Sequence, residues 1–132
     1  MTTPTPASAA LRILVVDSDD RIRESLSRIL RIGGLCAVVG GAGCADDAVA
    51  MAAAMRPDAV LLDPRLPAVD GDRAIVASLR EAVPGVRVLV LNWQEAGDGS
   101  RQADGPDAYI KKTFRPHELI DAVVAAARPS VA

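Results

Sequence analysis

The chain has 132 residues, and its 15 Lys and Arg against 17 Asp and Glu give a formal charge of −2. It therefore has no positive field for a polyanion, and direct nucleic-acid binding is set aside. Half of the residues are hydrophobic, yet no apolar run approaches the ~18 residues of a membrane span. The length suits one domain able to bury roughly two-thirds of its unfolded surface. The start, MTTPTPASAALR, has neither a basic n-region nor an apolar h-region, and reads as a disordered tail over residues 1–10 of a cytoplasmic protein.

In chain order, short apolar runs alternate with stretches of helical period. LRILVV (11–16) is the first strand, and the acidic VVDSDD (15–20) closes it. Ile22, Leu26, Ile29 and Leu30 then recur at helical spacing, with Asp19 or Asp20 as N-cap and Gly33-Gly34 as the stop. CAVVG (36–40) is the second strand, and DDAVAMAAAM a second helix ending before Pro57. Cys36 and Cys44, without His or Cys at metal-ligand spacing, read as two buried reduced thiols. DAVLLD (58–63) is the third strand, and a third helix runs from about Gly71 through IVASLREAV to Pro84. VRVLVLN (86–92) is the fourth strand. The following WQEAGDGSRQADGPD has four acids, three glycines and a proline but no apolar stripe, so at most a turn or two of helix is expected inside an irregular, mobile loop. AYIKK (108–112) is the fifth strand. PHELIDAVVAAAR follows, with Pro116 near N1 and Leu119, Ile120, Val123 and Val124 on one face.

Strands rich in Val, Leu and Ile without alternation imply a parallel sheet covered on both faces. The expected fold is a doubly wound (βα)5 domain over residues 11–128, with a degenerate fourth helix, a tail at 129–132, and a crevice at the carboxyl ends of the strands. Four strands end on polar residues: Asp17, Asp63, Asn92 and Lys112. Taken singly, Asp17, Asp19 and Asp20 could be helix caps, Asp63 a turn residue before Pro64, and Lys112 a surface charge. Placed together at strand ends, they put two carboxylates, an amide and an ammonium in one crevice.

VLLDPRLPAVDG (60–71) and YIKKTFRPHEL (109–119), with the acidic loop at 17–20, resemble the receiver domains of response regulators in two-component signalling. The resemblance implies a flavodoxin-like fold and a set of roles. Asp63 would be the phosphoacceptor, taking a phosphoryl group from a histidine kinase or phosphotransfer protein. Asp17, Asp63 and the backbone carbonyl of Arg65 would hold Mg²⁺, with Ser18 or Asp19 as doubtful further ligands. Lys112 would pair with the phosphoryl oxygens, Pro67 and Gly71 would shape the acceptor loop, and Asn92, Trp93 and Tyr109 would form the switch.

Three departures stand out. Ser18 lies where the family usually has a second metal-binding acid, and a carboxylate about 4 Å from a divalent ion contributes roughly 2–8 kcal/mol gross. Asn92 replaces the usual hydroxyl and Trp93 a small residue, and the helix before the lysine strand is weak. Two readings follow. One is an atypical stand-alone receiver, since no output domain follows residue 128; it signals through a downstream protein, with a homodimer among its allowed partners. The other is a phosphorylation-independent pseudo-receiver acting as an interaction or dimerisation module. A small α/β enzyme using Asp63 as an acid is disfavoured, because there is no glycine-rich nucleotide loop and the single histidine, His117, opens the last helix. Any catalysis would be limited to its own phosphotransfer and dephosphorylation.

Overall fold

A computed structural model describes residues 10–63, 72–92, 97–98 and 106–127. The strands are β1 (Leu11–Val16), β2 (Cys36–Ala42), β3 (Ala59–Leu62), β4 (Arg87–Asn92), β5 (Gly97–Asp98) and β6 (Ala108–Lys111). The helices are α1 (Asp20–Arg31), α2 (Ala45–Met55), α3 (Asp72–Ala82) and α4 (Pro116–Ala127). The sheet order is β2-β1-β3-β4-β6-β5. Five strands run parallel, and β5 pairs antiparallel with β6 through Gly97 opposite Tyr109 and Asp98 opposite Ala108.

The strand residues sort by parity, because successive side chains leave a strand on opposite faces. Leu14, Val16, Val60, Leu62, Val88 and Val90 pack with α2 and α3 residues such as Ala48, Ala52, Val76 and Leu79. Ile13, Val15, Ala59, Leu61, Leu89 and Leu91 pack on the other face with Leu26 and Leu30 of α1 and Leu119 and Val123 of α4. Both faces are covered, which is why the strands read as continuous apolar runs. Helix α1 starts where Asp19 accepts the amides of Arg21 and Ile22, and it stops where Ile32 turns extended and Gly33 takes φ 83°.

Two sequence expectations change here, and the weak fourth helix is not one of them. Cys36 is buried, but Cys44 is exposed: it is the N-cap of α2, and its Sγ accepts the Asp47 amide at 3.5 Å. The segment after β4 contributes a two-residue strand, which is a pairing imposed by β6 rather than by the propensity of Gly and Asp. No helix occurs among the described residues between β4 and β6. The expected tails lie outside the described residues apart from Ala10. Among the described residues, no helix is long and apolar enough to cross a membrane.

The parallel register is pinned by one device used twice. Asp58, just before β3, donates its amide to the Arg12 carbonyl at 2.8 Å and accepts the Arg12 amide on its carboxylate at 2.9 Å. Asp107, just before β6, does the same to Val88 of β4, at 2.8 and 2.7 Å. Each aspartate thus closes the ladder at the start of a strand, and both sit in a Pro-Asp-Ala triplet (57–59 and 106–108). Asp107 also pairs with Arg80 at 3.2 Å and Arg87 at 3.4 Å, tying α3 to the sheet. Removing a carboxylate that satisfies a strand amide leaves an unpaired donor. Asp107→Ala should therefore lower unfolding stability by about 1–3 kcal/mol in urea titration, with Asp107→Asn falling between it and the wild type. An unchanged midpoint for the alanine variant would contradict this account.

Candidate functional site

The strand order reverses at β1 and β3: the chain passes from β1 to β2 on one side and to β3 on the other. Such a switch point opens a crevice at the carboxyl ends of the strands. The Asp17 amide donates to the Ala42 carbonyl and the Asp63 amide to the Val16 carbonyl, both at 3.0 Å, so the ladder continues one step past β1 and β3 and fixes both backbones. Asp17, Asp63 and Lys112 each stand two residues beyond a core residue of the α1/α4 face, namely Val15, Leu61 and Ile110. Their side chains continue that parity and meet over the same face.

All three are buried, with 0%, 2% and 3% exposure for Asp17, Asp63 and Lys112. The Lys112 ammonium donates to Asp17 Oδ2 at 3.3 Å and to Asp63 Oδ2 at 3.4 Å. These bonds are longer than the roughly 2.7–2.9 Å of a tight charge-assisted pair, so the ammonium straddles two carboxylates instead of closing on one. The three groups together carry two negative charges against one positive. Burial pushes the Asp17 carboxyl above its ordinary pKa, and the neighbouring Asp63 adds to the rise, while the Asp19 amide (2.8 Å to Asp17 Oδ1) and the Lys112 ammonium pull it down.

The other residues singled out in the sequence fall in different places. Asp19 is exposed and spends its carboxylate on capping α1, and Ser18 is exposed beside it. Asn92 ends β4 in register with Lys111. Tyr109 is half-buried, in register with Val90, and packs on the α2/α3 face of the sheet. Arg65, Pro67, Gly71 and Trp93 lie outside the described residues. Sequence reasoning passed over Arg23, whose guanidinium donates to the Asp17 carbonyl at 2.7 Å and pairs with Asp20. The available signal was an arginine one helical turn beyond the acidic loop.

Among the described residues, no three His, Cys, Asp or Glu side chains converge on one metal-sized point. Two buried carboxylates do converge, and that number suffices for Mg²⁺, which keeps several waters and takes one or two carboxylates together with phosphate oxygens. The donor set fits such an ion, with less charge than a third acid would bring.

A family described as the response regulator receiver domain matches residues 13–124. The transcriptional regulatory protein PdtaR of Mycobacterium tuberculosis is 32% identical over 123 residues, covering 92% of this chain and 59% of its own length. Response regulator MprA of Mycobacterium ulcerans is 36% identical over 114 residues, covering 84% of this chain and 47% of its own. The chain thus spans about half of the curated relatives it matches. Among solved structures, the receiver domain protein from Methanospirillum hungatei superposes with a TM-score of 0.73 at 25% identity, covering 90% of this chain and 94% of that one. The response regulator domain of Thermotoga maritima CheB gives 0.75 at 24% identity, covering 92% and 99%, a likeness of fold.

Because the Asp17 pKa is raised on folding, its contribution to stability is present at acid pH and is lost as pH rises through the raised value. Asp17→Asn keeps an acceptor for the Asp19 amide and leaves one carboxylate against one ammonium. In metal-free buffer at neutral pH the variant should melt roughly 2–5 °C higher than wild type, and the gain should vanish as pH falls below the ordinary carboxylate range. A lower melting temperature at neutral pH would show that the Asp17–Lys112 attraction outweighs the burial of charge.

Proposed function

The chain belongs to the family of response regulator receiver domains, and from that premise we propose that Asp63 accepts a phosphoryl group from the phosphohistidine of a kinase or phosphotransfer protein in the cytoplasm. The observation that carries this reading is the Lys112 ammonium held between two buried carboxylates at 3.3 and 3.4 Å. An Asp63 carboxylate oxygen attacks phosphorus, the P–N bond to the donor imidazole breaks, and the bonding pair stays on that nitrogen. The product carries more negative charge than the carboxylate it replaces, about −1.5 to −2 on the phosphoryl group.

Lys112 can follow that charge, because its contact with Asp63 is loose and its second contact with Asp17 keeps it in the crevice. Asn92 donates an amide hydrogen bond to the phosphoryl group in place of a hydroxyl, Trp93 restricts access to Asp63, and Tyr109 passes the change to the surface near β5 and β6. Asp17, Asp63 and the Arg65 carbonyl would hold Mg²⁺, which would supply the remaining positive charge. Ser18 adds an oxygen without charge, so the ion binds more weakly than at a site with three acids. The output is altered contact with another protein, a second copy of the chain included.

A second reading rests on a specific observation: Ser18 is exposed, Asp19 is committed to its cap, and no third acid joins Asp17 and Asp63 among the described residues. In that reading the domain is a phosphorylation-independent interaction module. Acetyl phosphate with Mg²⁺ should label the wild type but not Asp63→Asn, as read by intact mass and by release of the phosphate with hydroxylamine, which cleaves an acyl phosphate. Ser18→Asp should raise Mg²⁺ affinity roughly tenfold or more. Absence of label at saturating donor, together with no gain from Ser18→Asp, would leave the interaction module as the surviving reading.

A further inference from the structure

The Gly40-Gly41-Ala42-Gly43 stretch at the end of β2 serves two side chains. A Cβ on Gly40 would lie 2.4 Å from Met51 Sδ, so that glycine lets α2 down onto the sheet. The other two glycines serve Arg23: a Cβ on Gly41 would lie 3.0 Å from its Cδ, and one on Gly43 3.2 Å from its Nη1. Neither has a positive φ. Space for the arginine, rather than backbone conformation, is what these two positions provide.

Lying in this trough, Arg23 donates to the Asp17 carbonyl at 2.7 Å and pairs with Asp20 on the first turn of α1. It is 23% exposed, whereas Asp20 is 86% exposed, so the acid steadies the guanidinium from the solvent side. The Asp17 peptide is thereby held from three directions. Its amide is fixed by Ala42, its carboxylate by the Asp19 amide and Lys112, and its carbonyl by Arg23.

We propose that Arg23 is a positioning residue for the phosphoacceptor pocket: by clamping the Asp17 carbonyl from the glycine trough, it aims the Asp17 carboxylate at Lys112 and at the cation site. The inference rests on the function proposed above. It assigns to a fixed backbone part of the work that a second acid beside Asp17 would otherwise share.

Two variants perturb the clamp from opposite sides. Arg23→Met keeps the stem and removes both donors, whereas Gly43→Ala keeps the arginine and crowds its Nη1. Mg²⁺ affinity, measured by calorimetry on the full chain, should fall roughly tenfold in each, the scale seen when a residue that orients a ligand is lost. Arg23→Lys, which retains one donor, should recover part of the loss. Independently of metal, hydrogen exchange at the Asp19 amide, which reports the Asp17 carboxylate directly, should become several-fold faster. Thermal melts establish that each variant folds. Unchanged Mg²⁺ affinity and unchanged Asp19 protection in folded variants would overturn the proposal. If wild type itself binds no Mg²⁺, the phosphoacceptor reading falls, and Asp19 protection alone decides the role of Arg23.

Discussion

A buried ammonium shared by two buried carboxylates is the constraint around which this domain is organised. None of the three groups is stable alone in an interior: each would face a desolvation cost of several kcal/mol. Their mutual contact requires that the ends of β1, β3 and β6 arrive together, and residues 17, 63 and 112 lie on three different strand ends. The parallel order with β1 and β3 adjacent is what brings them there. The imbalance of charge is equally informative, since a site built only for stability would match its acids with bases. Burial of the Asp17 carboxyl, with Asp63 beside it, raises its pKa in the folded state.

Placement of that triad begins at the opposite end of the sheet. A slip of one residue in a parallel strand would turn every side chain to the other face and carry Asp63 or Lys112 out of the crevice. The apolar pattern resists such slips weakly here, because both faces are apolar and a shifted strand would still bury its valines and leucines. Asp58 and Asp107 supply the missing specificity, fixing β3 against β1 and β6 against β4 with paired amide and carboxylate contacts. Register set at the strand starts is read out at the strand ends.

Much of this was legible in the sequence. Alternating apolar runs and helical stripes locate the five parallel strands and four helices of the described residues, because packing against both faces of a sheet leaves a coarse, long-range pattern. Asp17, Asp63 and Lys112 are conspicuous as polar residues directly after such runs. Asp58 and Asp107 are not, since an aspartate after proline looks like any turn residue and its second role exists only when a neighbouring strand supplies the amide. Arg23 resembles the solvated arginines around it in α1 until the glycines of β2 are laid beneath it. Cys44 was misjudged because thiols are usually buried, whereas here a helix start holds it at the surface. Strand β5 has no propensity of its own to betray it.

That short strand also settles how the sheet ends. A parallel sheet with a free outer strand presents a row of unpaired amides and carbonyls on which another chain can grow. Beside β6 the row is partly taken by Gly97 and Asp98, two residues poorly suited to extending a sheet. Lateral growth by strand addition is thereby discouraged on the flank that carries Tyr109 and Lys112. On this flank a second protein has less bare backbone to pair with, which favours recognition of side chains and surface shape.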